Sequence, residues 1–100
     1  MSEQLAPKRV LIVEDERLVA LDLQQTLAGL GYEPYAIAST AADAIATASA
    51  QRPDLALVDV RLRGKGDGID VAAELRSRFD VPVVFLTAHG DEVTLSRAKS

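Results

Sequence analysis

Short apolar runs and helix-period stripes take strict turns along this chain, and that alternation constrains its fold more than any other feature. VLIV, residues 10–13, is apolar, largely β-branched and closed by Glu14, Asp15 and Glu16. Behind it RLVALDLQQTLAGLG carries Val19, Leu23, Leu27 and Leu30 at helical spacing and stops on Gly31. EPYAIAS reads as a weaker strand, and Pro34, with no N–H to give a ladder, assigns it to a sheet edge. Thr40, three residues ahead of Asp43, opens an alanine-rich helix to about Gln51, and Pro53 prevents its continuation. DLALVD is a third strand. Asp67-Gly68 then leads into IDVAAELRSRF, with Ile69, Ala72, Ala73 and Leu75 on one helical face. VPVVFLT is a fourth strand, and DEVTLSRAKS begins another helix with acids in its first turn, as the helix dipole favours.

The order β-α-β-α-β-α-β-α with short links implies an α/β, doubly wound parallel sheet covered by helices on both faces. Continuous runs such as VLIV and VPVVFL suit strands buried on both sides. Residues 1–7, polar and ending in Pro7, read as a loose tail, and 8–100 as one domain with no internal repeat or linker. A chain of 100 residues that is 48% apolar can still bury a usable core. It has no cysteine, so disulfide frameworks and thiolate zinc sites are excluded. The start, MSEQLAPKRV, has no long apolar stretch behind a basic cluster, and the apolar runs are strand-sized. The expectation is a soluble, cytoplasmic protein with no membrane span. A net charge of −4, scattered basic residues, two Phe and two Tyr argue against nucleic-acid binding.

In an open α/β sheet, ligands bind beyond the carboxyl ends of the strands. Glu14 and Asp15 stand there after the first strand, Asp59 after the third and Thr87 after the fourth. Taken singly each has an ordinary reading. Asp59 serves as a turn or cap residue, a metal ligand or a nucleophile; Asp15 as a helix cap or a ligand; Glu14 as a direct or water-linked ligand; Thr87 as a plain helix-entry residue or a site hydroxyl. Together they place three carboxylates in one cleft, where mutual repulsion raises their pKa values. A hard divalent cation relieves it, and Mg²⁺ prefers oxygen ligands and accepts phosphate oxygens beside them. His89 reads as a solvated loop residue, and Arg76 and Arg78 as a solvated face.

VLIVEDE with its acidic pair, LALVDVRL with one aspartate, the following DG, and VPVVFLTA with its threonine and small neighbour resemble the receiver domain of two-component response regulators. The likeness runs from about Lys8 to the end. It implies a flavodoxin-like sheet of order 2-1-3-4, with the family's fifth strand missing from this chain. It further implies that Asp59 is the phosphoacceptor, attacking a phosphorylated histidine on a histidine kinase or phosphotransfer protein. Glu14, Asp15, Asp59 and the main-chain carbonyl of Arg61 then hold Mg²⁺ (or Mn²⁺). Thr87 supplies a hydroxyl to the new phosphoryl oxygens, Ala88 leaves them room, and Arg61 and His89 tune how fast the group hydrolyses. The event adds about 1.5 to 2 negative charges and alters partner or effector interactions, with no enzymatic activity beyond the domain's own phosphorylation and dephosphorylation.

Two departures accompany the likeness. Leu62-Arg63 replace the family's Met-Pro pair in a glycine-rich loop one residue longer than usual. The lysine and aromatic residue of the family's fifth strand have no counterpart, since Lys99 lies in the last helical stretch. The expectation is a domain incomplete at its C-terminal side, with VPVVFL an uncovered edge open to self-association. Two rival functions stand beside the switch. One is a pseudo-receiver that binds partners without being phosphorylated. The other is an aspartyl-nucleophile phosphohydrolase, against which Arg61 counts, because such enzymes usually place a second acid there.

Overall fold

The computed structural model describes residues 6–61 and 68–86. They form β1 (Arg9–Val13), α1 (Arg17–Gly29), β2 (Glu33–Ala38), α2 (Ala41–Ala50), β3 (Leu55–Asp59), α3 (Gly68–Phe79) and β4 (Val83–Leu86). The strands make one sheet in the order β2-β1-β3-β4, each neighbouring pair parallel, as expected. β2 lies at an edge, and Pro34 leaves its mark on the ladder. Val10 pairs with Pro34 but Leu11 pairs with Ala36, so the register slips past Tyr35.

β1 sits between two partners and is sealed on both faces. Val10, Ile12 and Leu57 pack with Ala20, Leu23 and Leu27 under α1. Leu11, Val13, Ala56 and Val58 pack with Ala44 and Ala48 of α2 and Val71 and Leu75 of α3 on the other face. Burying each Val, Leu or Ile side chain contributes about 1.5–3 kcal/mol, and the small alanines let α2 lie close to the sheet. β4 lies at an edge of the sheet among the described residues, as expected, but it departs from the expected burial on both faces, since Val84 is 47% exposed.

Helix ends follow local chemistry. The Thr40 hydroxyl accepts the Asp43 N–H at 3.1 Å and caps α2, as its position predicts. The first cap is Glu16, in extended conformation and without a side-chain bond, so Asp15 does not cap α1. α1 ends at Gly29, and Gly31 takes the left-handed turn at φ +97. Leu30, placed on the buried stripe by its spacing, falls past the last helical residue and is 69% exposed. The buried face of α3 is Gly68, Val71, Ala72 and Leu75, which turns Ile69 (41% exposed) and Ala73 to solvent. Ala72 and Leu75 of the expected face are buried, while Gly68 and Val71 take the places expected of Ile69 and Ala73. Among the described residues no helix is long and apolar enough to cross a membrane. The expected tail to residue 5, the glycine-rich loop from Leu62 to Asp67, and Thr87, Ala88, His89 and the last helix lie outside the described residues.

Candidate functional site

The register of the sheet assembles the site. β1 and β3 are parallel neighbours with Val13 opposite Val58, so the next residue of each strand brings Glu14 beside Asp59. Successive side chains alternate across a sheet, and Val13 and Val58 both face α2 and α3. The two acids therefore turn together to the α1 side, where Asp15 begins the link to that helix. The Glu14 N–H extends the ladder by donating to the Ala38 carbonyl at 2.9 Å, which fixes the backbone from which its side chain projects.

Carboxylate oxygens of Glu14, Asp15 and Asp59 lie within 4.8 Å of one another. Two of these acids are deeply buried, Glu14 at 2% and Asp59 at 4% exposure, while Asp15 is half-buried. Main-chain donors support them. The Glu16 N–H donates to Glu14 Oε2 at 3.0 Å, and the Arg61 N–H donates to Asp59 Oδ1 at 3.1 Å. Burial pushes the Glu14 carboxyl from 4.5 up to about 7, against the Glu16 N–H that favours its charge. The negative charge of Asp59, a hydrogen bond shared with it and the charge of Asp15 push it the same way. Such a cluster holds a proton on Glu14, or it holds a cation.

A cleft of about 370 Å³ opens beside the acids, lined by Glu14 and Asp15, by Arg17, Leu21 and Gln24 of α1, and by Ile37 and Ser39 at the end of β2. The site residues expected on β1 and β3 thus meet, whereas Thr87 and Ala88 lie outside the described residues. Sequence reasoning did not find the two supporting N–H groups, at Glu16 and Arg61. Their signal was the spacing, each two residues beyond its acid, where a short side chain can fold back on its own backbone.

The chain matches the response regulator receiver domain over residues 10–100. It is 38% identical over 98 residues to the transcriptional regulatory protein PdtaR of Mycobacterium tuberculosis, covering 98% of this chain and 47% of that one. To the phyllosphere-induced regulator PhyR of Methylorubrum extorquens it is 41% identical over 81 residues, 80% of this chain and 30% of that one. It thus spans half or less of the length of these relatives. Among solved structures, the signal receiver domain of a modulated diguanylate cyclase from Desulfovibrio desulfuricans G20 superposes with a TM-score of 0.81 at 41% identity. That alignment covers 93% of this chain and 74% of the other. With a 2-1-3-4 parallel sheet, an acid cluster at its carboxyl edge and a match along nearly its whole length, the chain belongs to the response regulator receiver domain family.

Proposed function

We propose that residues 8–100 are a phosphorylation-dependent, cytoplasmic signalling switch of a two-component system, with Asp59 as phosphoacceptor. One observation carries the reading: Glu14, Asp15 and Asp59 bring carboxylate oxygens within 4.8 Å at the carboxyl ends of β1 and β3. In a receiver domain that gathering serves phosphoryl transfer. An Asp59 carboxylate oxygen attacks the phosphorus of a phosphohistidine on a histidine kinase or phosphotransfer protein. The acyl P–O bond forms as the P–N bond breaks, and the freed imidazole leaves with the electron pair and takes a proton from solvent. The Arg61 N–H on Oδ1 holds the attacking carboxylate in a fixed rotamer.

Three crowded anionic oxygens, two of them on buried side chains, fit a hard divalent cation. Glu14, Asp15, Asp59 and the main-chain carbonyl of Arg61 would hold Mg²⁺ or Mn²⁺, and the bound ion supplies charge neutralisation for the transferring phosphoryl group. In this reading Thr87 turns its hydroxyl to the new phosphoryl oxygens and Ala88 leaves them room. The added charge changes affinity for an effector. The domain turns over only its own acyl phosphate and so is a switch, not an enzyme. The half-exposed Val84, on a strand at the edge of the sheet among the described residues, supports self-association through β4; molar mass in light scattering should then rise with concentration.

Intact-mass measurement after incubation with a small acyl phosphate and Mg²⁺ tests the reading. A single phosphoryl adduct is expected on the wild type, absent from Asp59→Asn and absent when the metal is chelated. No adduct on the wild type would leave an interaction domain that is not phosphorylated. Continuous release of phosphate from unrelated esters would make the chain a hydrolase.

A further inference from the structure

We infer that Gly68 is a positioning residue of the acid site: its bare Cα lets α3 begin directly against the Asp59 main-chain carbonyl, and that contact fixes where the Asp59 carboxylate stands beside Glu14 and Asp15. The inference rests on the reading of Asp59 as metal ligand and phosphoacceptor. Gly68 is buried, and its N–H donates to the Val60 carbonyl at 3.0 Å. Glycine is required here for space, because its φ does not lie in the left-handed range. A Cβ at this position would sit 1.9 Å from the Asp59 carbonyl oxygen, 2.8 Å from its carbonyl carbon and 2.8 Å from the Val60 Cα. All three are backbone atoms, which cannot rotate aside as a side chain would.

One of the two partners must then move, and the packing says which. α3 is anchored by Val71, Ala72 and Leu75, all at 3% exposure or less, against the core under the sheet. Its retreat would also break the Gly68–Val60 bond. Besides the Gly68 bond itself, the end of β3 is held past its last ladder pair, among the described residues, by the bond from the Val60 N–H to the Leu86 carbonyl at 3.2 Å. The strand end is the weaker restraint, so it yields, and Asp59 moves with it. Changing a group that supports a metal ligand lowers metal affinity by about 10- to 100-fold.

The test measures Mn²⁺ binding by electron paramagnetic resonance, with Mg²⁺ as competitor, on the full chain. Gly68→Ala should weaken Mn²⁺ binding at least about tenfold. Two comparisons separate positioning from general damage. Gly29→Ala, also a helical glycine but with nothing within 4 Å of its added Cβ, should bind as wild type does. Val81→Ala, a cavity variant at the far end of α3, should lose thermal stability yet keep its Mn²⁺ affinity. Wild-type affinity in Gly68→Ala, or an equal loss in Val81→Ala at matched stability, overturns the inference. Should Gly68→Ala not fold, the wild type decides by NMR: Mg²⁺ should shift the Gly68 amide resonance along with that of Arg61, and a silent Gly68 amide overturns it. A wild type that binds no Mn²⁺ while staying folded defeats the underlying metal-site reading, a result distinct from all of these.

Discussion

The two ends of this sheet treat charge in opposite ways. At the carboxyl end, Glu14 and Asp59 are buried beside each other and beside Asp15, acid against acid, with main-chain N–H groups of Glu16 and Arg61 as support. At the amino end, charged side chains meet main-chain groups and an aromatic ring, although Arg9 Nη2 is buried without a hydrogen-bond partner among the described residues. The Arg9 N–H donates to Asp54 Oδ2 at 2.8 Å, and the Arg9 guanidinium stacks 4.3 Å over the Tyr35 ring. Arg52 reaches across to the end of α3, donating to the Phe79 carbonyl at 2.6 Å and the Asp80 carbonyl at 2.7 Å. One end gathers like charges at a cost in stability; the other ties strand and helix ends together. A sheet whose amino end is well tied can carry a destabilising site at its other end.

The largest expected effect lies at the acid end. In the metal-free protein the Glu14 carboxyl has its pKa raised from 4.5 to about 7. The folded state then holds a proton that the unfolded chain has released. The stabilisation from that proton is complete below about 4.5 and is lost as pH climbs through 7, a fall on the order of 3 kcal/mol. Denaturant midpoints of the metal-free protein taken from pH 5 to 8 should show this decline, and Glu14→Gln should flatten it. Saturating Mg²⁺ should restore the wild-type midpoint at pH 8 by binding the folded state. An undiminished slope in Glu14→Gln would assign the burden to another group. The middle effect lies at the amino end. Arg52→Ala removes two donors from the last turn of α3 and should cost about 1–2 kcal/mol in equilibrium unfolding, with no dependence on Mg²⁺. A loss that Mg²⁺ reverses would mean that the two ends are coupled.

This asymmetry also marks what could be read from the sequence. The acid end was legible because its chemistry and its place coincide: acids directly after apolar runs are rare enough to notice, and parallel topology sends every such position to one edge. Pro34 and Thr40 were legible for the same reason, each having one local effect on a ladder or a cap. The amino end was not legible. Arg52, in QRPD, looks like any solvated cation, because a guanidinium that caps a distant helix leaves no periodic trace; its partners are 27 and 28 residues away. Phase was the other loss. Ile69 and Leu30 are apolar residues next to a buried face, and hydropathy alone does not separate a face from its neighbour 100° around the helix. Only the packing of Val71 and Leu75 on the sheet, and the early end of α1 at Gly29, decide it.

The smallest effect compares two helix ends directly. α1 and α3 close differently: bonds that reach back five and three residues end α1, and bonds that reach back six and four end α3. Tyr32 N–H donates to Leu27 O and Gly31 N–H to Ala28 O in one; Val81 N–H donates to Leu75 O and Asp80 N–H to Arg76 O in the other. Gly31 occupies the left-handed position at φ +97, but α3 places Asp80 there at φ +56. A non-glycine residue in that region is strained by about 1 kcal/mol, and an acid at a helix carboxyl end opposes the dipole. Asp80→Gly should therefore raise stability by about 0.5–1 kcal/mol, after the greater freedom of glycine in the unfolded chain is set against it. Arg52 holds the Asp80 carbonyl, which glycine keeps. The costs of Arg52→Ala in the wild type and in Asp80→Gly should thus agree within about 0.5 kcal/mol. A larger coupling in that double-mutant cycle would show that Arg52 is held by the Asp80 carboxylate, and that the amino end is an ion-pair network rather than a cap on α3.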